Sequence, residues 1–169
     1  MENKTDLRIK AKTIRKGLDI KNISKKLCEK ILDMPEYQKA KNVMIFYPLV
    51  DEIDLLSLAS DKKNFYLPRV KDDDIEVCPY KNGDELVIGK YNILEPKNDT
   101  VSPDVLDLVI VPAIMADKNN NRLGYGKGYY DRFLNKVTAT ILLPLPKELI
   151  VENLPVEPFD KKVDVVVTV

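Results

Sequence analysis

Six apolar runs, several of them ended by a proline, narrow the folds open to this chain. Val43-Met44-Ile45-Phe46-Tyr47 ends at Pro48, Phe65-Tyr66-Leu67 at Pro68, and Leu106-Asp107-Leu108-Val109-Ile110-Val111 at Pro112. Residues 75–80 alternate loosely, and Ile141-Leu142-Leu143 and residues 163–169 complete the set. Unbroken Val/Ile/Leu runs of this length suit parallel strands buried on both faces. Helical spacing falls between them, at about residues 53–59, 128–137 and 147–152. Ahead of them Leu7, Ile14, Leu18, Ile23, Leu27 and Ile31 recur at helical intervals across 4–32. Gly17 and Asp19 break that helix, and Asn22 or Ser24 is available to cap its second piece. Residues 81–104 are polar, carry Gly83, Gly89, Pro96 and Pro103, and read as hairpin and loop. Strands alternating with helices predict an α/β fold with a mainly parallel sheet and flanking helices. No repeat, low-complexity tract or linker divides the chain, so residues 1–169 are expected to form a single domain.

Composition removes several classes of function. A chain of 169 residues buries roughly 70% of its extended surface on folding, enough for a core without staples. The 27 basic and 27 acidic residues cancel, which argues against a nucleic-acid binder. The positive charge is concentrated in residues 1–41, where twelve basic residues meet six acidic ones. No apolar run nears the roughly 18 residues that cross a membrane. The chain is charged from Glu2 onward, unlike a secretory leader. A cytoplasmic monomer acting on small molecules is expected. Histidine is absent, which excludes Ser-His-Asp and Cys-His nucleophiles and histidine-bound zinc. Cys28 and Cys78 are far apart and read as ordinary thiols of a reducing compartment.

The segment most suited to chemistry is Arg122-Leu123-Gly124-Tyr125-Gly126-Lys127-Gly128-Tyr129-Tyr130-Asp131. Half of the chain's six glycines stand here at alternate positions. Alternating glycines permit positive φ and let backbone N–H groups converge on an anion. A helix expected to follow adds the positive end of its dipole, and Arg122 and Lys127 add charge. These features describe a phosphate cradle; the competing reading is a flexible turn. Two familiar loops do not fit. A Walker A loop needs Ser or Thr where Gly128 stands. The dinucleotide fingerprint needs a third glycine where Tyr129 stands.

With these residues in view, the chain resembles the 5-formyltetrahydrofolate cyclo-ligase (methenyltetrahydrofolate synthetase) family. The glycine-tyrosine segment carries most of the resemblance. Lys4-x-x-Leu7-Arg8 with Arg15 resembles that family's basic N-terminal helix. Tyr47-Pro48 and Asp51-Glu52-Ile53-Asp54 resemble its first strand and acidic turn, and residues 107–112 the strand feeding the loop. Pro155-Val156-Glu157-Pro158-Phe159-Asp160, with Val163-Asp164 and Val166-Val167-Thr168, resembles its C-terminal signature. The matches follow the family's order along nearly the whole chain.

The resemblance implies a Rossmann-like three-layer sandwich and an ATP- and magnesium-dependent ring closure. The formyl oxygen of 5-formyltetrahydrofolate attacks the γ-phosphate of ATP. Folate N10 then attacks the activated carbon, and loss of phosphate leaves 5,10-methenyltetrahydrofolate. Phosphoryl transfer rests on positioning and charge neutralisation, so a chain without histidine can perform it. By resemblance Lys4, Arg8 and the loop from Arg122 through Leu123, Gly124, Tyr125, Gly126, Lys127, Gly128 and Tyr129 to Tyr130 bind ATP. Arg122 and Lys127 are the catalytic cations, and Arg15 is a weaker member of the phosphate cluster. Asp131 and Asp160 are magnesium ligands. Glu52 holds the pterin donors, with Tyr47, Tyr129 and Tyr130 as stacking walls.

Two places depart from the family pattern. Phe159 stands where a polar residue is usual, and residues 138–147, TATILLPLPK, lack the usual glycine and glutamine. If 138–147 forms a wall of the site, a folate- or nucleotide-binding protein without ring-closing activity is the alternative. An unrelated small kinase using the glycine loop is a third reading.

Overall fold

The computed structural model describes residues 2–169. Two helices open the chain, α1 (Lys4–Lys16) and α2 (Ile20–Leu32), parted at Gly17. Asn3 caps α1 by accepting from the Asp6 amide. Asp19 caps α2 by accepting from the Asn22 amide, so the cap is the breaking residue itself and not Asn22 or Ser24. A one-turn α3 (Pro35–Gln38) leads into β1 (Asn42–Met44), and a 3₁₀ turn at Leu56–Ser60 replaces the helix expected over 53–59. Next come β2 (Asn64–Lys71), β3 (Asp74–Tyr80), β4 (Leu86–Ile88), β5 (Leu94–Pro96) and β6 (Leu108–Ile110). The chain continues through β7 (Met115–Asp117), β8 (Arg122–Leu123), α4 (Tyr129–Leu134), β9 (Thr140–Pro144), β10 (Ile150–Val151) and β11 (Val165–Val167). The helix expected over 147–152 is a single 3₁₀ turn, Lys147–Leu149.

The main sheet has the order β11-β9-β6-β1-β2-β3, parallel except for β3. Numbered along the chain, the five parallel strands lie in the order 5-4-3-1-2. The direction of winding reverses between β1 and β6, and a crevice opens there beyond their carboxyl ends. Alternate residues of each strand face opposite sides. Met44, Val109, Val111, Ile141 and Leu143 pack with Leu7 and Ala11 of α1 and Phe133 and Leu134 of α4. Val43, Ile45, Leu108, Ile110 and Leu142 pack with Leu27 and Ile31 of α2 and with Tyr37. Helices thus cover both faces, and the architecture is a three-layer α/β sandwich.

Two differences from expectation bear on the site. β2 runs past Pro68, beyond its last pairing with β1 at Tyr66. Two residues on, the Val70 amide donates to Glu95 Oε2 at 2.8 Å and not to β3; Pro68 faces the same side, so its missing N–H breaks no ladder. The glycine loop does not follow β6 directly. The antiparallel pair β7–β8 intervenes, joined by β10 in a small second sheet.

Candidate active site

A cleft of about 1050 Å³ opens at the reversal between β1 and β6. Its floor includes Phe46 and Tyr47 after β1 and Pro112 after β6. Lys4 and Arg8 reach it from α1, the whole segment 122–132 forms one wall, and Glu52 enters from the turn after Tyr47. Asp160 and Phe159 close it from the C-terminal strap, and Tyr91 and Ile93 from the β4–β5 hairpin.

The glycines do different work. Gly126 has φ +100° and Gly128 φ +72°, conformations that L side chains rarely adopt. Gly124 has ordinary φ, but a Cβ there would stand 2.9 Å from the Arg122 guanidinium. A Cβ on Gly128 would stand 2.8 Å from Arg132 Nη1, and one on Gly126 would meet only Arg8, at 3.5 Å. Arg8 Nε donates to the Gly124 carbonyl at 2.9 Å, so α1 braces the loop directly. α4 is six residues long, not the ten expected, because it ends at Asn135. Its dipole is correspondingly small, which leaves anion binding here to side-chain cations and loop amides.

Arg122 Nε donates to the Pro112 carbonyl at 3.1 Å, and its guanidinium lies 5.3 Å from the Tyr130 ring centroid. Burial lowers its pKa, opposed by Asp131, Tyr130, Tyr125 and Asp160; arginine stays a cation regardless. The Lys127 ammonium has no hydrogen-bond or ion-pair partner among the described residues and lines the cleft.

Opposite the loop, Glu52 is buried, with 7% of its surface exposed. Its Oε1 accepts from the Leu49 amide at 2.8 Å and its Oε2 from the Tyr125 hydroxyl at 2.7 Å. Burial raises the Glu52 pKa, and these two bonds with Arg15 and Arg122 pull it back only in part. The Tyr125 hydroxyl is pushed up by burial and by the Glu52 charge, and Tyr130 likewise. Both are neutral donors at physiological pH. Tyr129 stands further out. Its hydroxyl meets Tyr91 at 3.2 Å and Lys90 Nζ at 3.1 Å, and the Arg132 guanidinium lies 5.2 Å from its ring centre.

The two aspartates lie at the other end. Asp160 Oδ2 accepts from Lys4 Nζ at 2.8 Å and from the Glu157 amide at 2.9 Å. Asp131 Oδ1 accepts from the amide of Lys161, the neighbour of Asp160. Asp131 Oδ2 and Asp160 Oδ1 accept no hydrogen bond among the described residues. No group of three or more His, Cys, Asp or Glu residues gathers among the described residues. Two carboxylates with free oxygens fit magnesium, which completes its shell with water and phosphate oxygens.

Arg15 is not in the phosphate cluster. It follows Arg8 on the same helical face, but the end of α1 sinks into the core, and Arg15 is buried beneath the cleft. Residues 138–147 do not wall the cleft either. They hold β9, inside the main sheet, where Ile141, Leu142, Leu143 and Leu145 are buried. Phe159 is exposed at the mouth with Lys4 Nζ 6.0 Å from its ring centre. Sequence reasoning missed Arg132, Lys90 and Tyr91. Arg132 adjoins the glycine motif and could have been included; Lys90 and Tyr91 lie in a polar stretch that carried no signal.

The sequence model of the 5-formyltetrahydrofolate cyclo-ligase family matches residues 1–169. A mouse 5-formyltetrahydrofolate cyclo-ligase is 29% identical over 159 residues, covering 82% of this chain and 78% of the relative. The Escherichia coli K12 enzyme of that name is 30% identical over 152 residues, with 82% and 84% covered. The solution structure of an Aquifex aeolicus 5,10-methenyltetrahydrofolate synthetase superposes with a TM-score of 0.87 at 32% identity, covering 98% of this chain and 89% of that one. A Mycoplasma pneumoniae structure shares the fold, with a TM-score of 0.78 at 21% identity and 98% of each chain covered.

Proposed function

The chain belongs to the 5-formyltetrahydrofolate cyclo-ligase family, and we propose that its cleft closes 5-formyltetrahydrofolate to 5,10-methenyltetrahydrofolate with ATP and magnesium. The observation that carries this assignment is the facing of two unlike half-sites across one cleft. One half is cationic and lined by glycines (Lys4, Arg8, Arg122, Gly124–Gly128); the other presents the buried Glu52 carboxylate with its tyrosines.

In this reading the loop amides and the ammonium and guanidinium groups hold the triphosphate. Glu52 accepts from the pterin amino and ring N–H donors, and Tyr47, Tyr129 and Tyr130 wall the ring. The formyl oxygen forms a bond to the γ-phosphorus as the bond to the β-bridging oxygen breaks, releasing ADP. Folate N10 then bonds to the formyl carbon and loses its proton, and the carbon–oxygen bond breaks to release phosphate. Lys127, unpaired in the cleft, and Arg122 are placed to neutralise charge on the transferring group. Asp131 and Asp160 would hold magnesium, which would neutralise the β- and γ-phosphate oxygens. Asp160 would offer its free Oδ1 to the metal, and release of Lys4 from Oδ2 as the metal binds would free Lys4 for phosphate.

We read residues 1–169 as one cyclo-ligase domain working as a cytoplasmic monomer. Cys28 and Cys78 are free thiols, as in a reducing compartment, and no described helix is long and apolar enough to cross a membrane. Absorbance of methenyltetrahydrofolate tests the assignment. Product should form only when ATP and magnesium are both present, with one ADP per product. Tight folate binding without product would instead favour the binding-protein alternative.

A further inference from the structure

Arg15 grips both sides of the cleft from below. Its side chain is 7% exposed. Nη1 donates to the Asp51 carbonyl at 2.7 Å, and Nη2 donates to the carbonyls of Ala113 and Ile114 at 2.7 and 3.3 Å. Among the described residues it makes no ion pair. A buried cation bonded only to neutral carbonyls is expensive to keep. If rigidity alone were required, an apolar side chain could fill the same space at lower cost. The three carbonyls lie at informative places. Asp51 adjoins Glu52 in the acidic turn. Ala113 adjoins Pro112, whose carbonyl holds Arg122. The remaining anchor is α1 itself, which carries Lys4 and Arg8 to the cleft.

We propose that Arg15 is a positioning residue that sets the Glu52 half-site against the Arg122 half-site, and so aligns the formyl oxygen with the γ-phosphate. The proposal rests on the cyclo-ligase reading of the cleft. Without Arg15, Glu52 keeps the Leu49 amide and Arg122 keeps Pro112, and the Tyr125 hydroxyl of the loop still reaches across to Glu52. What is lost is the tie beneath the cleft between Asp51 and the Ala113–Ile114 carbonyls, which leaves the halves held at the Tyr125–Glu52 bond alone and free to pivot about it. Misplacement of reacting atoms by about an ångström can cost on the order of a hundredfold in rate. The signature is therefore a fall in kcat with each ligand still bound normally.

Arg15→Gln removes the charge and two of the three bonds. Arg15→Lys keeps the charge and at least one bond, and it should fold even where the glutamine variant does not. Calorimetry with a non-hydrolysable ATP analogue plus magnesium, and separately with 5-formyltetrahydrofolate, should give dissociation constants within about threefold of wild type. The kcat should fall roughly ten- to a hundredfold, less for lysine than for glutamine. Unchanged kcat in a folded variant overturns the proposal. So does a nucleotide dissociation constant raised more than about tenfold, which would return Arg15 to the phosphate cluster. A folate constant raised alone by that factor overturns it too, since Arg15 would then serve only Glu52. Wild-type protein in the same assay separates the two questions: if it makes no methenyltetrahydrofolate, the cyclo-ligase reading fails independently of Arg15.

Discussion

Glu52 illustrates how a single side chain carries both the cost and the use of the site. Its pKa lies above its ordinary value because burial outweighs the two hydrogen bonds and the nearby arginines. A carboxyl with a raised folded pKa binds its proton more tightly in the native than in the unfolded state. Native stability therefore falls as pH climbs from the unfolded value near 4.5 through the folded one, and the cost is complete above it. Glu52→Gln does not titrate and can keep both bonds, accepting from the Leu49 amide and donating to Tyr125. Melting temperature against pH should show the variant gaining on wild type across that window and level at higher pH. A wild-type advantage growing with pH would contradict the assignment. Folate affinity should drop by about 1.5–3 kcal/mol, the range for hydrogen bonds to charged groups.

Gly126 makes the complementary case. Its φ of +100° strains any side chain, while a Cβ would meet Arg8 only at ordinary contact distance. Gly126→Ala should cost about 1–2 kcal/mol of stability. The loop relieves that strain by turning its amides, with a turnover loss on the order of a hundredfold. Chemical denaturation with steady-state kinetics checks this; near-normal turnover in the folded variant would make the loop a simple turn.

Among the elements, α1 and the C-terminal strap are joined chiefly by Lys4, which pairs with Asp160 and Glu157. Burial opposes the Lys4 charge, but the bonds to Asp160 and Glu157 outweigh it and raise its pKa. The ammonium thus occupies one oxygen of a proposed metal ligand. Lys4→Met should let manganese or magnesium alone raise the melting temperature more than in wild type, because Asp160 is released. The same variant should weaken ATP about tenfold or more, since a charged bond to phosphate is lost. Opposite signs for metal and nucleotide are the diagnostic, and parallel losses would contradict the exchange. Asp131→Asn should raise the magnesium requirement for turnover, because a neutral amide is a poorer ligand for a hard cation. An unchanged requirement would remove Asp131 from the metal site.

Element boundaries show what was legible in the chain and what was not. The runs around Val43, Leu108 and Ile141 announced buried parallel strands, because both faces of the sheet are covered. Pro68 was read as a stop, because nothing local reveals that its face of β2 lies beyond β1. Strands β7 and β8 are two or three residues long. Asp117, the last residue of β7, is buried, its carboxylate taking N–H donors from Asn119, Asn121 and Leu154. Strands this short leave no periodicity to read. The turn at Tyr91 and Asn92 puts two non-glycine residues at φ of 62° and 58°, a conformation usually signalled by glycine.

For the whole molecule, the winding reversal between β1 and β6 determines where chemistry can occur. The alternating glycines and flanking cations revealed one half of the site, because their spacing is itself the chemistry. The burial of Arg15 and the distance from 138–147 to the cleft are tertiary facts. Helical spacing placed Arg15 beside Arg8, and only packing shows that one faces the cleft and the other supports its floor. The proposed function requires that the formyl oxygen itself bond to phosphorus. Turnover of 5-formyltetrahydrofolate labelled with ¹⁸O in the formyl group tests this most directly, read by mass spectrometry of the released phosphate. The expected result is one ¹⁸O in each inorganic phosphate formed per methenyltetrahydrofolate; unlabelled phosphate, with the label recovered in water, would contradict it.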